Sequence, residues 1–144
     1  MVGIVVTGHG LFATGLTAAL DLIAGPQKNY CAVDFKGDTT ETLAKDLKEA
    51  YESLKECDGI IVFSDLPGGS PFKTAVEVAV GSYEKVHVLG GTNLPMLCEI
   101  SMARQFVEDV ESLVEMALNT GKDQVVEFKL SSVTSHDDSE GDGI

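Results

Sequence analysis

The sequence predicts a doubly wound α/β domain, in which helices cover both faces of a mostly parallel sheet of about five strands. Two observations lead to this prediction. Short apolar runs rich in β-branched residues recur along the 144-residue chain, as expected of strands that are buried on both faces. Segments with helical periodicity separate these runs, and the intervening loops are short. Such alternation implies right-handed crossovers between parallel strands.

The predicted strands differ in how continuous their apolar character is. Residues 2–6, 60–63 and 86–89 are nearly continuous apolar runs, and residues 30–35 form a fourth candidate. Residues 124–130 alternate apolar and polar side chains, which is typical of a strand with one exposed face. We therefore place this fifth strand at an edge of the sheet, antiparallel to the others.

Five helices are predicted between and after these strands, over residues 11–23, 39–57, 71–80, 95–104 and 107–119. The second is the most regular, because Leu43 and Leu47 begin a repeat of apolar residues at three- and four-residue intervals. Gly25 is expected to end the first helix, and Gly121 the last. The predicted order is a strand followed by a helix, four times, and then a further helix and the last strand.

The composition indicates one compact domain that does not bind polyanions. Apolar residues make up 44% of the chain, which is enough for a single substantial core at this length. Ten basic and 23 acidic residues give a formal charge of -13. This charge argues against binding to nucleic acid or to an anionic membrane surface.

Cysteine spacing and hydropathy predict a cytoplasmic protein. Cys31, Cys57 and Cys98 match neither a disulfide framework nor a zinc-ligand pattern. The first residues lack the features of a signal peptide, and no apolar stretch reaches the roughly 18 residues of a membrane span. Residues 131–144 are polar and acidic and are predicted to form a disordered tail. The folded domain is expected to comprise residues 1–130.

The fold class predicts where ligands bind. In doubly wound sheets they lie beyond the carboxyl ends of the strands, where the strand order reverses. The loops after strands 1, 3 and 4 are therefore the candidates. They read T-G-H-G (7–10), S-D-L-P-G-G-S-P (64–71) and G-G-T-N-L-P (90–95).

His9 is the first candidate for chemistry, because it directly follows strand 1 between Gly8 and Gly10. Glycine on both sides removes side-chain bulk, so a partner protein can approach the imidazole. A neutral imidazole nitrogen is a nucleophile, and a phosphate on it would face backbone N–H groups at a helix start. A histidine that only caps the helix or fills the loop is the structural alternative.

Asp65 is the second candidate, because it follows strand 3 and should face the same crevice as His9 if strands 1 and 3 are neighbours. A carboxylate on one ring nitrogen selects the tautomer, leaves the other nitrogen for attack and stabilises the charged ring. Asp65 could equally be a turn or N-cap residue. The two roles are compatible.

The loop after Asp65 is predicted to bind an anion. Gly68 and Gly69 can expose backbone N–H groups, Ser70 is predicted to be an N-cap, and Pro71 suits the first helical position. The same residues would also make an ordinary turn between a strand and a helix. The prediction therefore depends on the loop's position beside His9.

Other reactive residue types are interpreted as structural. His87 lies within strand 4 and His136 in the acidic tail, and the cysteines lack an activating neighbour. We predict no metal site. The chain contains neither of the usual glycine-rich dinucleotide and nucleoside triphosphate fingerprints, so no cofactor is predicted and a phosphate must come from elsewhere.

Three motifs in order, T-G-H-G, S-D-L-P-G-G-S-P-F and G-G-T-N-L-P-M-L-C-E, resemble the IIA (EIIA) components of the mannose/fructose/sorbose family of the bacterial phosphotransferase system (PTS). The likeness covers about residues 2–130. It implies that His9 is phosphorylated by the carrier HPr and passes the phosphoryl group to a IIB (EIIB) component. It also implies that Asp65 holds His9, while Gly10, Gly68, Gly69 and Ser70 contact the phosphate.

The resemblance further implies a homodimer that exchanges its last strand, and an indirect link to the membrane components EIIC and EIID. It does not identify the sugar. One alternative is the phosphoryl-donor subunit of a dihydroxyacetone kinase, whose histidine loop typically reads S-H-S and whose second loop lacks G-G-S-P-F. The other is a non-catalytic, flavodoxin-like binding module, although the chain has few aromatic residues to stack on a flavin.

Overall fold

The computed structural model describes residues 1–133 and contains a sheet of four parallel strands, which confirms the predicted α/β class. The strands are β1 (Gly3–His9), β2 (Tyr30–Phe35), β3 (Ile60–Ser64) and β4 (Val86–Leu89). Their order across the sheet is β2-β1-β3-β4, and each neighbouring pair is parallel. The chain therefore begins in the middle of the sheet and extends first to one side and then to the other.

Five helices cover the two faces of this sheet. They are α1 (Phe12–Ala24), α2 (Thr40–Ser53), α3 (Ser70–Ala79), α4 (Leu94–Ala103) and α5 (Val110–Asp123). Apolar residues of α1, α4 and α5 pack with Ile4, Val6 and Phe63 on one face. Those of α2 and α3 pack with Val5 and Val62 on the other. Alternate residues of the same strands thus enter different cores, which explains their nearly continuous apolar sequences.

The predicted fifth strand is absent from the described chain. Residues 124–129 form neither helix nor strand, and Leu130–Val133 is a short 3-10 helix. A strand requires a hydrogen-bonded neighbour, and nothing in the single chain's sheet pairs with this segment. The prediction of a five-stranded sheet with an antiparallel edge is therefore wrong for the isolated chain. Of the predicted tail, residues 134–144 lie outside the described residues.

Three predicted helix ends are also wrong, and the first is that of α2, which ends at Ser53 rather than at Cys57. Helix α5 begins at Val110 rather than Val107, because the Asp109 side chain accepts a hydrogen bond from the Ser112 N–H and caps the helix there. Gly121 lies inside α5 and does not end it. Its missing side chain has a packing role, because a Cβ there would lie 2.7 Å from the Met96 sulfur.

A buried arginine connects the ends of several elements on the side of the sheet away from the strands' carboxyl ends. Arg104 follows α4 and is 1% exposed. Its guanidinium donates to the carbonyl oxygens of Val2 and Asn29 at 2.8 and 3.0 Å, and also to the carbonyl oxygen of Lys28. Desolvation lowers the pKa of this guanidinium. The hydrogen bonds from its two terminal nitrogens offset part of the cost of burying the cation, whereas the buried Nε has no partner among the described residues.

Within residues 1–133, none of the helices is both long enough and apolar enough to cross a membrane.

Candidate functional site

The strand order brings the two main candidate residues to one edge of the sheet. His9 is the last residue of β1, and Asp65 directly follows β3. The two strands are parallel neighbours, with Thr7 opposite Ser64. Because parallel strands end at the same edge, their terminal side chains lie close together. The condition on which the placement of Asp65 beside His9 depended, that strands 1 and 3 are neighbours, is met.

The Asp65 carboxylate holds His9 by both its backbone and its ring. One oxygen, Oδ2, lies 2.9 Å from the His9 backbone nitrogen and 2.8 Å from the ring nitrogen Nδ1. The other, Oδ1, accepts from the Leu66 N–H at 2.8 Å. An ionised carboxylate only accepts hydrogen bonds, so Nδ1 must carry the donated proton. The tautomer selected in this way leaves the lone pair on Nε2.

The histidine is open to solvent, whereas its carboxylate partner is not. The His9 side chain is 46% exposed and that of Asp65 is 15% exposed. Partial burial acts to raise the pKa of the Asp65 carboxyl, but the hydrogen bonds from His9 and Leu66 outweigh it and lower this pKa. Asp65 is therefore a carboxylate at neutral pH.

Two further contacts confine the imidazole ring. The Phe35 ring meets it edge-on, with the ring centres 6.0 Å apart. Gly69 lies so close to the ring that a Cβ at this position would be 3.0 Å from His9 Cε1. With the hydrogen bond to Asp65, these contacts fix the position of the ring while its outer edge stays accessible.

The glycines beside His9 have different structural roles. A Cβ at Gly8 would lie 2.5 Å from the Phe12 ring and 2.9 Å from Asp65 Cγ, so a side chain there would displace the carboxylate. Gly10 has a φ of 60°, a conformation that favours glycine. Its N–H donates to the Phe35 carbonyl oxygen at 2.7 Å. This N–H is therefore already paired.

The loop after Asp65 differs in detail from the predicted anion-binding turn. The Gly69 N–H donates to the Leu66 carbonyl oxygen at 3.0 Å, so it closes the turn. Gly69 is also the N-cap of α3, and Ser70 is the first helical residue, so the prediction of Ser70 as N-cap is wrong. The N–H groups of Ser70 and Phe72 remain in the first turn, where a helix offers no acceptor for them.

The end of β2 contributes residues that the sequence interpretation missed. Phe35 contacts His9 by its ring and Gly10 by its carbonyl oxygen. Asp34 accepts hydrogen bonds from the backbone N–H and the hydroxyl of Thr14, at 3.0 and 2.5 Å, and so caps the first turn of α1. A signal was present, since β2 ends in Asp-Phe at the same sheet edge as His9. Finding it required knowledge that β2 lies beside β1.

The other histidines lie apart from this group. His87 is on β4 and lies 3.9 Å from Glu111 of α5, and His136 falls outside the described residues. Among residues 1–133, no group of three or more histidine, cysteine and acidic side chains is arranged to hold a metal ion.

Comparison with known families decides the assignment. The family model described as the PTS system fructose IIA component (EIIA-man) matches residues 3–118, a range that includes His9, Asp65 and the loop after β4. The chain belongs to the mannose/fructose/sorbose family of PTS EIIA components. The family resemblance inferred from the three loop motifs is confirmed.

Individual relatives agree with this assignment. The chain is 33% identical over 133 residues to the mannose-specific EIIAB component of Escherichia coli, covering 92% of this chain and 41% of that protein. It therefore spans less than half of that relative. The EIIA crystal structure from Streptococcus agalactiae is 31% identical, with a TM-score of 0.76, over 88% of this chain and 97% of that one. The mannose/sorbose-specific IIA subunit from Enterococcus faecalis is 26% identical, with a TM-score of 0.74, over 89% and 95%.

The lowered pKa of Asp65 predicts a pH-dependent contribution to stability. A carboxyl whose pKa is lowered from its ordinary value of 3.8 binds protons more weakly in the folded state. Its contribution is therefore present above about pH 4 and is lost as the pH falls through the lowered pKa. We expect Asp65→Asn to lower the free energy of unfolding at pH 7, and the difference from wild type to shrink below about pH 4.

Urea unfolding of wild type and Asp65→Asn between pH 3 and 7 would measure this change. Asp21→Asn, on the exposed surface of α1, is the matched control. A difference between Asp65→Asn and wild type that stayed constant over this pH range would contradict the assigned hydrogen bonds.

Proposed function

We propose that this EIIA component is a phosphoryl carrier whose His9 accepts a phosphoryl group from phosphorylated HPr and passes it to an EIIB component during sugar uptake. The observation that carries the proposal is the 2.8 Å contact between His9 Nδ1 and Asp65. It leaves Nε2 as the available nucleophile on an exposed ring. The membrane components EIIC and EIID would act only after the EIIB component.

The bond changes of the proposed transfer involve only the two histidines, and Asp65 balances the charge that they create. The Nε2 lone pair of His9 attacks the phosphorus atom, and the donor's N–P bond breaks with its electron pair returning to the donor nitrogen. His9 keeps its proton on Nδ1, so the phosphorylated ring is cationic. The Asp65 carboxylate balances this charge without moving. In the second transfer His9 is the donor. A histidine nitrogen of the EIIB component attacks the phosphorus atom, and the electron pair of the broken Nε2–P bond returns to Nε2.

The start of α3 is proposed to hold the transferred phosphoryl group. Gly69 contacts the ring edge at Cε1, next to Nε2, so a phosphoryl group on Nε2 would lie near the first turn of α3. The unpaired N–H groups of Ser70 and Phe72, together with the Ser70 hydroxyl, are suitable donors to its oxygens. Because the N–H groups of Gly10 and Gly69 are paired elsewhere, these two glycines would provide close approach rather than donors. Gly68 remains a candidate donor.

The family assignment favours this function over the two alternatives. The matching family model is that of a sugar-system IIA component, which supports sugar uptake rather than dihydroxyacetone phosphorylation. The exposed imidazole supports a carrier rather than a flavodoxin-like binding module. The identity of the sugar is not part of the proposal, since a carrier of this type does not contact it.

We also propose a homodimer in which residues 124–130 of each subunit pair with β4 of the other. Strand β4 is at an edge of the sheet. A groove of about 250 Å³ between β4 and α3 is lined by apolar side chains that include Val80 and Val88. In the single chain Val126, Phe128 and Leu130 are 79%, 69% and 77% exposed. Their alternation would place all three on one face of a strand, where the groove could bury them.

The first prediction of the proposed function concerns the phosphorylated residue. Incubation with phosphoenolpyruvate, enzyme I and HPr should add one phosphate to the wild type and to His87→Ala, but none to His9→Ala, as measured by intact mass. His136→Ala should also behave as wild type. Phosphohistidine is acid-labile, so mild acid should remove the added mass. Stoichiometric phosphate on His9→Ala would refute the assignment, and an acid-stable phosphate would indicate Ser70 instead.

The second prediction ranks the supporting residues by rapid-quench measurement of transfer from phosphorylated HPr. Asp65→Asn keeps the side-chain shape but cannot balance the cationic ring, so transfer should slow by about 10² to 10⁴. Ser70→Ala removes one neutral hydrogen bond to the phosphate, which should cost about tenfold. A wild-type transfer rate for Asp65→Asn would show that Asp65 serves only as a turn residue.

The third prediction tests strand exchange by truncation. Removing residues 124–144 should give less stable monomers, because the exchanged strand is lost, whereas removing residues 131–144 should leave a dimer. Sedimentation and thermal melting would compare the two proteins. If the shorter protein stayed dimeric and equally stable, residues 124–130 would not form the dimer.

A further inference from the structure

The loop between β4 and α4, which carries the motif G-G-T-N-L-P, packs against the His9 site without supplying a side chain to it. Two of its backbone N–H groups bind the end of β3. Gly91 donates to the Asp65 carbonyl oxygen and Thr92 to that of Ser64, both at 3.1 Å. The loop is therefore attached to the residue whose side chain holds His9.

Gly90 packs closely against Pro67 in the loop after β3. A Cβ added there would lie 2.8 Å from Pro67 Cα, 2.9 Å from Pro67 N and 3.0 Å from Pro67 Cβ. Two of these are backbone atoms, which cannot rotate away as the end of a side chain can. Any side chain at residue 90 would therefore push the backbone of the Leu66–Gly69 turn.

A displacement of that turn would reach the imidazole through two sets of contacts. The hydrogen bond from the Gly69 N–H to the Leu66 carbonyl oxygen closes the turn around Pro67, and Gly69 lies against the His9 ring. In the second set, the Leu66 N–H donates a hydrogen bond to the Asp65 carboxylate. A shift at Pro67 would thus alter the ring contact and the carboxylate position together.

We infer that Gly90 and Gly91 are positioning residues for His9. The bare Cα of Gly90 lets the loop support Pro67 directly. The left-handed conformation of Gly91, with a φ of 72°, directs its N–H to the Asp65 carbonyl oxygen. Together they hold the Leu66–Gly69 turn and Asp65 at the distance from the ring that selects the Nδ1–H tautomer. The effect on phosphoryl transfer rests on the proposed function, whereas the effect on the ring does not.

Two matched pairs of glycine variants test this inference. Gly90→Ala is compared with Gly15→Ala, since Gly15 lies in exposed helix and its added Cβ would meet nothing within 4 Å. Gly91→Ala is compared with Gly81→Ala, because both glycines have open space around them and their φ values are 72° and 78°. The second pair therefore places alanine at similar positive φ values, once beside the site and once just after the end of α3.

The ring nitrogen NMR shifts of His9 measure the tautomer without any partner protein. We expect the neutral ring to show protonated Nδ1 and unprotonated Nε2 in wild type, Gly15→Ala and Gly81→Ala. Gly90→Ala and Gly91→Ala should show a mixture of tautomers. Transfer from phosphorylated HPr should slow by about 10-fold to 100-fold in these two variants, as for a small misplacement of a reacting group, and should be unchanged in the two controls.

The outcomes separate this inference from the proposed function. If Gly90→Ala folds with wild-type His9 shifts and a wild-type rate, the inference is overturned. If it does not fold, the second pair decides, and loss of folding in Gly91→Ala but not in Gly81→Ala would show that the loop serves the fold rather than the site. A wild-type protein that HPr does not phosphorylate would refute the proposed function, while the NMR comparison would still test the positioning role.

Discussion

Three hydrogen bonds converge on the carboxylate of Asp65, and the geometry of the site depends on them. Two come from His9 and one from Leu66. They link the end of β1 to the loop after β3, hold the imidazole in one tautomer and lower the pKa of the Asp65 carboxyl. The carboxylate can do this only because β1 and β3 are parallel neighbours that end at the same edge.

The surroundings of the histidine combine rigidity with exposure. Asp65, Phe35 and Gly69 restrict the ring on three sides, while nearly half of the side chain stays open. An enzyme that binds a small substrate usually encloses it in a pocket. The proposed carrier function would instead require His9 to reach two different protein surfaces, and a rigid but exposed ring suits that function.

Glycine has a specific structural role at several positions around this site. Side chains at Gly8, Gly69 or Gly90 would meet Asp65, His9 or Pro67, respectively, at 3.0 Å or less. The backbones of β1 and of the loop after β3 can therefore pack within van der Waals distance of Asp65 and His9, and the loop after β4 can pack against the turn that contacts His9. In the proposed function, such packing would position His9 without adding bulk that would keep a partner protein away.

The fold class, the strands β1 to β4 and the two candidate residues His9 and Asp65 could all be predicted from the sequence. Runs of buried residues and helical periodicity are local properties, so they could be recognised without knowing which strands are neighbours. The loop motifs were also sufficient for the family assignment. The start of α5 was wrong because a side-chain hydrogen bond of Asp109 sets it, and Gly121 was misread as a helix end because its packing against Met96 is a tertiary contact.

The contacts between these parts could be seen only in the three-dimensional structure. It placed Phe35 against His9, paired the N–H groups of Gly10 and Gly69, and brought Gly90 against Pro67. It also left residues 124–129 without a strand, although their alternation predicted one. The physical reason is the same in each case. A contact between residues far apart in the chain depends on strand order and on the available neighbours, and neither is encoded in the local pattern of side chains.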